Sequence, residues 1–295
     1  MLQIDPDHTD ALHEVTACRA NLGDVDGALR SAQRLARIPG SEAAAYLQIA
    51  TLHNRLGNYQ SAVEAWEMLL KHRPDASGLA MLPQEILLAY ALALHDVSRP
   101  ADALRAVERS LALETTAAAY ELRGQIHLSL GDEAAAVESW KTAVRLDPGN
   151  QAARVALARS AMQDNAPQAA IDWLMPIASS TDINSGIAFL LQRAYTILKE
   201  DVRAAEWQQR AESLRHKEQL QAAVNQSLRE SPLSFWSQVI YAHRFASEGN
   251  WGQAEVLMDA LIQQAPEQPF VRELHEAVRR RGALPPLDRL PASQF

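Results

Sequence analysis

The sequence predicts an all-α protein built as a stack of paired helices, and three observations carry that expectation. Alanine makes up about a sixth of the 295 residues, while the β-branched and aromatic residues that favour strands are sparse. The turn pairs Gly23-Asp24, Gly57-Asn58, Gly131-Asp132 and Gly249-Asn250 are each followed by a short amphipathic run containing alanine. Ala28, Ala62, Ala103, Ala136, Ala170, Ala204 and Ala254 then follow one another at 34, 41, 33, 34, 34 and 50 residues, a single period of 34 with two insertions. A single core stops growing at about 250–300 residues, so a chain of this length is expected to solve its packing as two domains or as a modular stack, and the period selects the stack.

Composition narrows the function classes. Lys and Arg number 28 against 36 Asp and Glu, a net charge of −8, which weighs against partners that bind through phosphate neutralisation, nucleic acids and anionic membranes alike. No run approaches the ~20 apolar residues of a membrane span. The single cysteine, Cys18, cannot close an internal disulfide or supply a Cys-rich zinc site. With only Arg19 as a nearby cation, it is expected to be a buried, inert thiol.

The elements follow in chain order. Residues 1–8 read as the end of a preceding, missing repeat, because Ile4-Asp5-Pro6 matches Leu146-Asp147-Pro148 and Pro6 lies 68 residues, twice 34, before Pro74. The chain is therefore expected to be the C-terminal part of a longer array. Seven repeats are placed at 9–42, 43–76, 84–117, 117–150, 151–184, 185–218 and 235–268. Twelve residues before each register alanine stands Thr16, Ala50, Ala91, Gly124, Ala158, Gln192 or Ala242, small in five of the seven. Two helices joined by a tight turn cross closely there, and only a side chain of Gly or Ala size lets their backbones approach.

Leading helices carry apolar stripes such as Tyr46, Ile49, Ala50, His53 and Leu56, or Leu87, Tyr90, Ala91, Leu94 and Val97. Second helices carry Ala62, Trp66 and Leu69, or Ala136, Trp140 and Ala143, with the tryptophans at equivalent places and read as packing. Arg73-Pro74, Asp147-Pro148 and Ala265-Pro266 end repeats in register, because proline stops a helix and biases its predecessor away from helical geometry. The pattern departs from itself at Gln192, at Asn165 and Lys199 in place of the turn glycine, and at Pro176, which falls inside the fifth repeat's second helix. Residues 75–83 lengthen one connection. Residues 219–234 lengthen another, where Leu220, Val224 and Leu228 extend a helix or add one. Phe270, Val271, Leu274 and Val278 make residues 269–282 a capping helix, ended by Arg279, Arg280, Arg281 and Gly282. The Pro-containing tail 283–295, with Leu284-Pro285-Pro286-Leu287, is expected to pack or fray.

This arrangement of large residue, Leu-Gly or Leu-Ala, Tyr, Ala, aromatic and Pro resembles the tetratricopeptide repeat, a helix-turn-helix unit of about 34 residues. Residues 43–76 and 117–150 carry the resemblance best. It implies a right-handed superhelical solenoid whose first helices line a concave groove, and a non-catalytic scaffold or adaptor that binds a partner peptide or protein there. Family members that bind chaperone tails use Lys and Asn on adjacent first helices. His13, Ala17, Leu47 and Gln48 stand in the corresponding places, so that activity is not implied.

The residues on the first helices turned away from the packing stripe are the candidate partner-binding set. Leu47, Leu88, Leu92 and Leu128 would line the front half with apolar surface, beside Arg55 and Gln125. Arg159, Arg193 and His243 would form a basic row in the back half, flanked by Phe189 and Trp236. Such a groove would hold apolar side chains in front and an acidic group or C-terminal carboxylate at Arg159 and Arg193. The bland alternatives are that the arginines pair with neighbouring carboxylates and that an inserted segment such as 75–83 folds into the groove.

Nothing in the sequence signals an enzyme. The Gly-x-Ser-x-Gly, phosphate-loop, dinucleotide and His-Glu-x-x-His signatures are missing, and no two of the nine histidines share a helix face at metal-ligand spacing. No cofactor or metal is expected, and His53 and His127 are read as interface histidines. The rival reading is a recruitment or regulatory segment of a larger enzyme, such as a transferase, truncated at its N-terminus. The lack of a recognisable signal peptide favours cytoplasmic residence.

Overall fold

The computed structural model describes residues 7–179 and 183–290. Among them are fifteen α-helices, two 3₁₀ turns and no strand, and no helix is long and apolar enough to cross a membrane. The fold is an all-α solenoid of helical hairpins. It divides into two compact units, Met1–Ile177 and Ala178–Phe295. The missing-repeat expectation for the N-terminus rests on Ile4, Asp5 and Pro6, which lie outside the described residues.

The first unit holds five hairpins: α1 (Thr9–Asn21) with α2 (Val25–Leu35), α3 (Glu42–Arg55) with α4 (Tyr59–His72), α5 (Pro83–Asp96) with α6 (Pro100–Leu113), α7 (Ala117–Ser129) with α8 (Glu133–Leu146), and α9 (Gln151–Gln163) with α10 (Pro167–Leu174). The second helix of each pair packs on the first helix of the next, so a continuous apolar core runs from Ala32 through Trp66, Ile86, Leu94 and Val107 to Ile126. The small residues work as the spacing predicts. Ala50, Ala91 and Ala158 are fully buried, and a Cβ added at Gly124 would lie 2.3 Å from the indole Nε1 of Trp140.

Every hairpin turn uses one residue in the left-handed region. Glycine takes it at Gly23, Gly57 and Gly131 in the first unit and at Gly249 in the second, and Ser98, Asn165 and Lys199 take the same conformation at φ of 59°, 56° and 60°. The reason is the hydrogen bonding that follows. In each turn the next residue's N–H reaches back five positions, as Asn58 to His53 O at 3.0 Å, Ala166 to Ala161 O at 2.8 Å and Glu200 to Tyr195 O at 3.0 Å. Left-handed backbone costs an L-residue about 1–2 kcal/mol, a cost the hairpin's packing and bonds outweigh even where glycine is missing.

Expectations for Cys18 and Pro176 fail in this unit. Cys18 is exposed rather than buried, because the packing stripe of α1 runs through Leu12 and Thr16 and Cys18 points away from it. Pro176 is not inside a helix: α10 ends at Leu174 and a 3₁₀ turn, Met175–Ile177, takes the proline, whose ring and missing N–H would break a longer helix. Arg154 ties this end together. It is 8% exposed, its Nε donates to Pro148 O at 2.7 Å and its Nη1 to Trp173 O at 3.0 Å, and burial pushes its guanidinium below the ordinary arginine range. Arg154→Met keeps the stem but strands both carbonyls, and is expected to destabilise the first unit by about 1–3 kcal/mol. Chemical denaturation read by far-UV circular dichroism checks this, and an unchanged midpoint would show that the bonds are incidental.

The second unit holds α11 (Ser185–Ile197), α12 (Asp201–Glu230), α13 (Phe235–Ser247), α14 (Trp251–Gln264) and α15 (Pro269–Arg280), followed by the 3₁₀ turn Leu287–Arg289. The insertion lengthens α12 to 30 residues instead of adding a helix. Its first half packs on α11 through Ala204 and Ala211, and its last turns bring Leu220, Val224 and Leu228 to the core around α13 and α14. Midway, Glu218 accepts from the backbone N of Ser185 at 2.7 Å and from its hydroxyl at 2.6 Å, bonds that hold the Glu218 carboxyl below its ordinary pKa.

Candidate peptide groove

The first helices α5, α7 and α9 line a trough within the first unit. A cavity of about 520 Å³ lies between α5 and α7, bounded by Met81, Leu88, Ala89, Leu92 and Leu122, with Glu85, Glu121 and Gln125 at its polar edge. A second, of about 560 Å³, lies between α7 and α9 and is bounded by Gln125, Leu128, Val155, Ala156 and Arg159, among others. Gln125 borders both, so the two form one run of surface. The connection 75–83 contributes a wall through Met81 and leaves the larger part of the first cavity open, because Leu79 and Met81 pack down against the core beneath.

Several polar groups of the trough have structural partners. Glu85 accepts from the Leu82 backbone N at 3.2 Å, at the start of α5. Glu121 accepts from Asn150 Nδ2 at 3.0 Å and from Gln125 Nε2 at 3.2 Å, tying α7 to the start of α9. His95 Nε2 and the Ser129 hydroxyl lie 3.0 Å apart, linking α5 to α7. Arg159 differs: it is exposed and has no hydrogen bond or ion pair among the described residues. The trough thus offers apolar wells, a fixed polar edge and one cation with its charge uncommitted. Among the described residues no group of three or more His, Cys, Asp or Glu side chains is placed to hold a metal ion.

Two family profiles, both described as tetratricopeptide repeat, match residues 117–150 and 44–76. These two segments are tetratricopeptide repeats. The matched segments are the α7–α8 and α3–α4 hairpins, whose second helices carry the buried Trp140 and Trp66 at equivalent places. Similar solved structures include Pseudomonas aeruginosa PilF, 17% identical over 80% of this chain and 97% of that one, with a TM-score of 0.55. A tetratricopeptide-repeat protein from Parabacteroides merdae is 14% identical over 92% of this chain and 98% of that one, also at 0.55. YrrB, described as a repeat protein with an unusual peptide-binding site, is 16% identical over 66% of this chain and 95% of that one, at 0.53. At these identities the likeness concerns the fold. No curated protein sequence matches the chain.

Of the candidate residues, Leu88, Leu92, Gln125, Leu128 and Arg159 come together in the trough of the repeat stack. Arg55 stands exposed on α3 away from both cavities, and Phe189 and Arg193 stand exposed on α11 of the second unit. Three candidates are not free surface. Leu47 is 7% exposed and belongs to the core, since α1 packs against α3 in front of it, where Gln48 Nε2 also donates to His13 O at 3.2 Å. Trp236 is 8% exposed, set edge-to-face on Phe235 in the core that the lengthened α12 reaches with Val224. His243 bonds the Pro285 carbonyl at 3.0 Å, and burial lowers its pKa although that bond works the other way.

Sequence spacing missed Met81, Glu85, Ala89, Ala118 and Leu122. Met81 comes from an insertion with no counterpart in other repeats, and the rest lie at the flanks of the helix faces where no periodic rule separates wall from core. His53 and His127 are both half-buried between helices; burial lowers the His53 pKa, with Glu64 acting in the opposite sense.

Proposed function

We propose that this protein is a non-catalytic interaction scaffold whose first unit holds an extended segment of a partner protein along α5, α7 and α9. The observation that carries the reading is the pair of adjoining cavities: an apolar well walled by Leu88, Leu92 and Leu122 continues past Gln125 to an arginine with no partner among the described residues. Apolar wells supply affinity, and an unpaired guanidinium fixes orientation by taking a carboxylate in a forked, charge-assisted bond. Arg193 belongs to the other unit, so the acid-binding role rests on Arg159 alone. Glu121 is engaged in a helix-linking bond and Glu85 in capping α5, which supports recognition over proton-transfer chemistry.

A random peptide library panned against the intact chain tests this. Enriched sequences are expected to pair bulky apolar residues with an Asp, Glu or free C-terminus. Leu88→Asp with Leu92→Asp is expected to abolish their capture, and Arg159→Glu to weaken it at least about tenfold, with helical content unchanged. No enrichment, or capture indifferent to both changes, would remove the reading.

A further inference from the structure

The second unit has a first-helix face of its own on α13, and the chain's C-terminal segment lies on it. Leu284, Leu287 and Leu290 stand three residues apart. The backbone is polyproline-like at Pro286 (φ −67°, ψ 139°) and at Leu290 (φ −63°, ψ 140°), with the 3₁₀ turn Leu287–Arg289 between them. Both conformations repeat every three residues, so the three leucines fall along one edge of the segment. That edge joins the core formed by Val239, Ile240, Phe270, Val271 and Leu274, and Leu290 is buried in it.

Two polar links set the register. The His243 imidazole N–H donates from Nε2 to the Pro285 carbonyl, and Arg289 Nη1 pairs with Glu273 Oε1 at 2.8 Å. Pro285 and Pro286 have no N–H to satisfy and little freedom to lose on docking, which suits a bound extended peptide.

The attachment is that of a ligand more than of a structural element. Among the described residues the segment's backbone–backbone bonds are internal, Arg289 N to Pro286 O and Leu290 N to Leu287 O, and its carbonyl bond to the helices beneath goes to a side chain, His243. It leaves α15 through Arg281, Gly282 and Ala283, all exposed, with Arg281 in the left-handed region. Segments held by few backbone bonds open at low free energy while the surrounding hairpins stay closed.

We propose that the face of α13 and α15 is a docking site for an extended segment of another protein with leucines at i, i+3 and i+6 and prolines between the first two, and that residues 284–290 are its resident competitor. The seated segment displays the chemistry the face accepts: three leucine edges, a carbonyl at His243 and a cation at Glu273. Because it is tethered, it competes at an effective concentration on the order of millimolar, so a partner gains access when it brings more affinity or when the tail is released.

The test uses a fluorescein-labelled peptide of residues 283–291 with the full chain and with its Leu284→Asp, Leu287→Asp variant. The variant is expected to keep its helical content and bind the peptide at least about tenfold more tightly than the unaltered chain does. A peptide carrying the same two changes should bind neither. Equal binding by both proteins overturns the proposal, and so does loss of helix in the variant, which would make the tail a structural cap. Hydrogen exchange on the unaltered chain gives an independent reading. The amides of Arg289 and Leu290 should exchange at least about 100-fold faster than those of Val239 and Ile240, and equal rates would show that the tail opens only when the hairpin does. A concentration-dependent dimer that disappears in the variant would also overturn it, assigning the face to the tail of a second copy.

Discussion

Trp66→Ala is expected to lower the stability of the first unit by about 3–5 kcal/mol, the range for truncating a large aromatic inside a core that cannot collapse around the gap. Trp66 is fully buried, in the apolar core that spans four successive hairpins from Ala32 to Ile126. In a stack, each hairpin's stability depends on the interfaces to its neighbours, so a cavity here loosens the α3–α4 and α5–α6 repeats together. The indole Nε1 adds a second expectation, because it is buried and has no hydrogen-bond partner among the described residues. Trp66→Phe removes an unsatisfied donor, worth about 1–3 kcal/mol, while losing ring volume, and the two effects oppose one another. The Phe variant is expected within about 1 kcal/mol of the parent. Urea unfolding followed by circular dichroism, with hydrogen exchange to locate the loosened hairpins, separates the two variants. An alanine variant as stable as the phenylalanine one would mean that the ring is not what holds the repeats together.

Gly124→Ala should also destabilise, against the usual direction for such a change in a helix. Replacing glycine by alanine in a helix interior ordinarily gains about 1 kcal/mol. Here the new Cβ would lie 2.3 Å from Nε1, 2.5 Å from Cδ1 and 2.8 Å from Cε2 of Trp140. Those atoms belong to a rigid ring only 3% exposed, and overpacking of this kind costs about 1–3 kcal/mol. The clash is expected to win. Adding Trp140→Phe withdraws the atoms in the way, so the double variant should recover stability relative to the sum of the single changes, a coupling of at least about 0.5 kcal/mol in a double-mutant cycle. Stabilisation by Gly124→Ala alone would disprove the close approach of α7 and α8.

The same position shows how far spacing reaches. Small residues twelve before each register alanine read directly as hairpin crossings, because the steric demand at a crossing is local to two helices and their turn. Turn chemistry is more forgiving than its residue preferences suggest. Asn165 and Lys199 depart from glycine, yet both enter the left-handed region, since the five-residue bond closing each turn and the packing of the hairpin over-determine the conformation. Pro176 went the other way: a local prohibition on helix continuation won over the period and ended α10 at Leu174.

The candidate groove was legible only in part. Leu88, Leu92, Gln125, Leu128 and Arg159 share a helix face that spacing identifies, and they meet in the trough. Leu47, Trp236 and His243 share the analogous faces of other repeats, but α1, the lengthened α12 and the tail lie against them. Cys18 fails for the same cause in reverse, since burial of a cysteine depends on what arrives from elsewhere in the chain.

From its sequence alone the protein is determined to be a run of helical hairpins with a fixed period, because helix periodicity, turn bonds and close crossings all act over a few tens of residues. Tertiary structure decided which first-helix faces stay open and which are covered. That choice is made by contacts such as His243 with Pro285, 42 residues apart, whose formation depends on how whole elements pack and leaves no periodic trace in the chain.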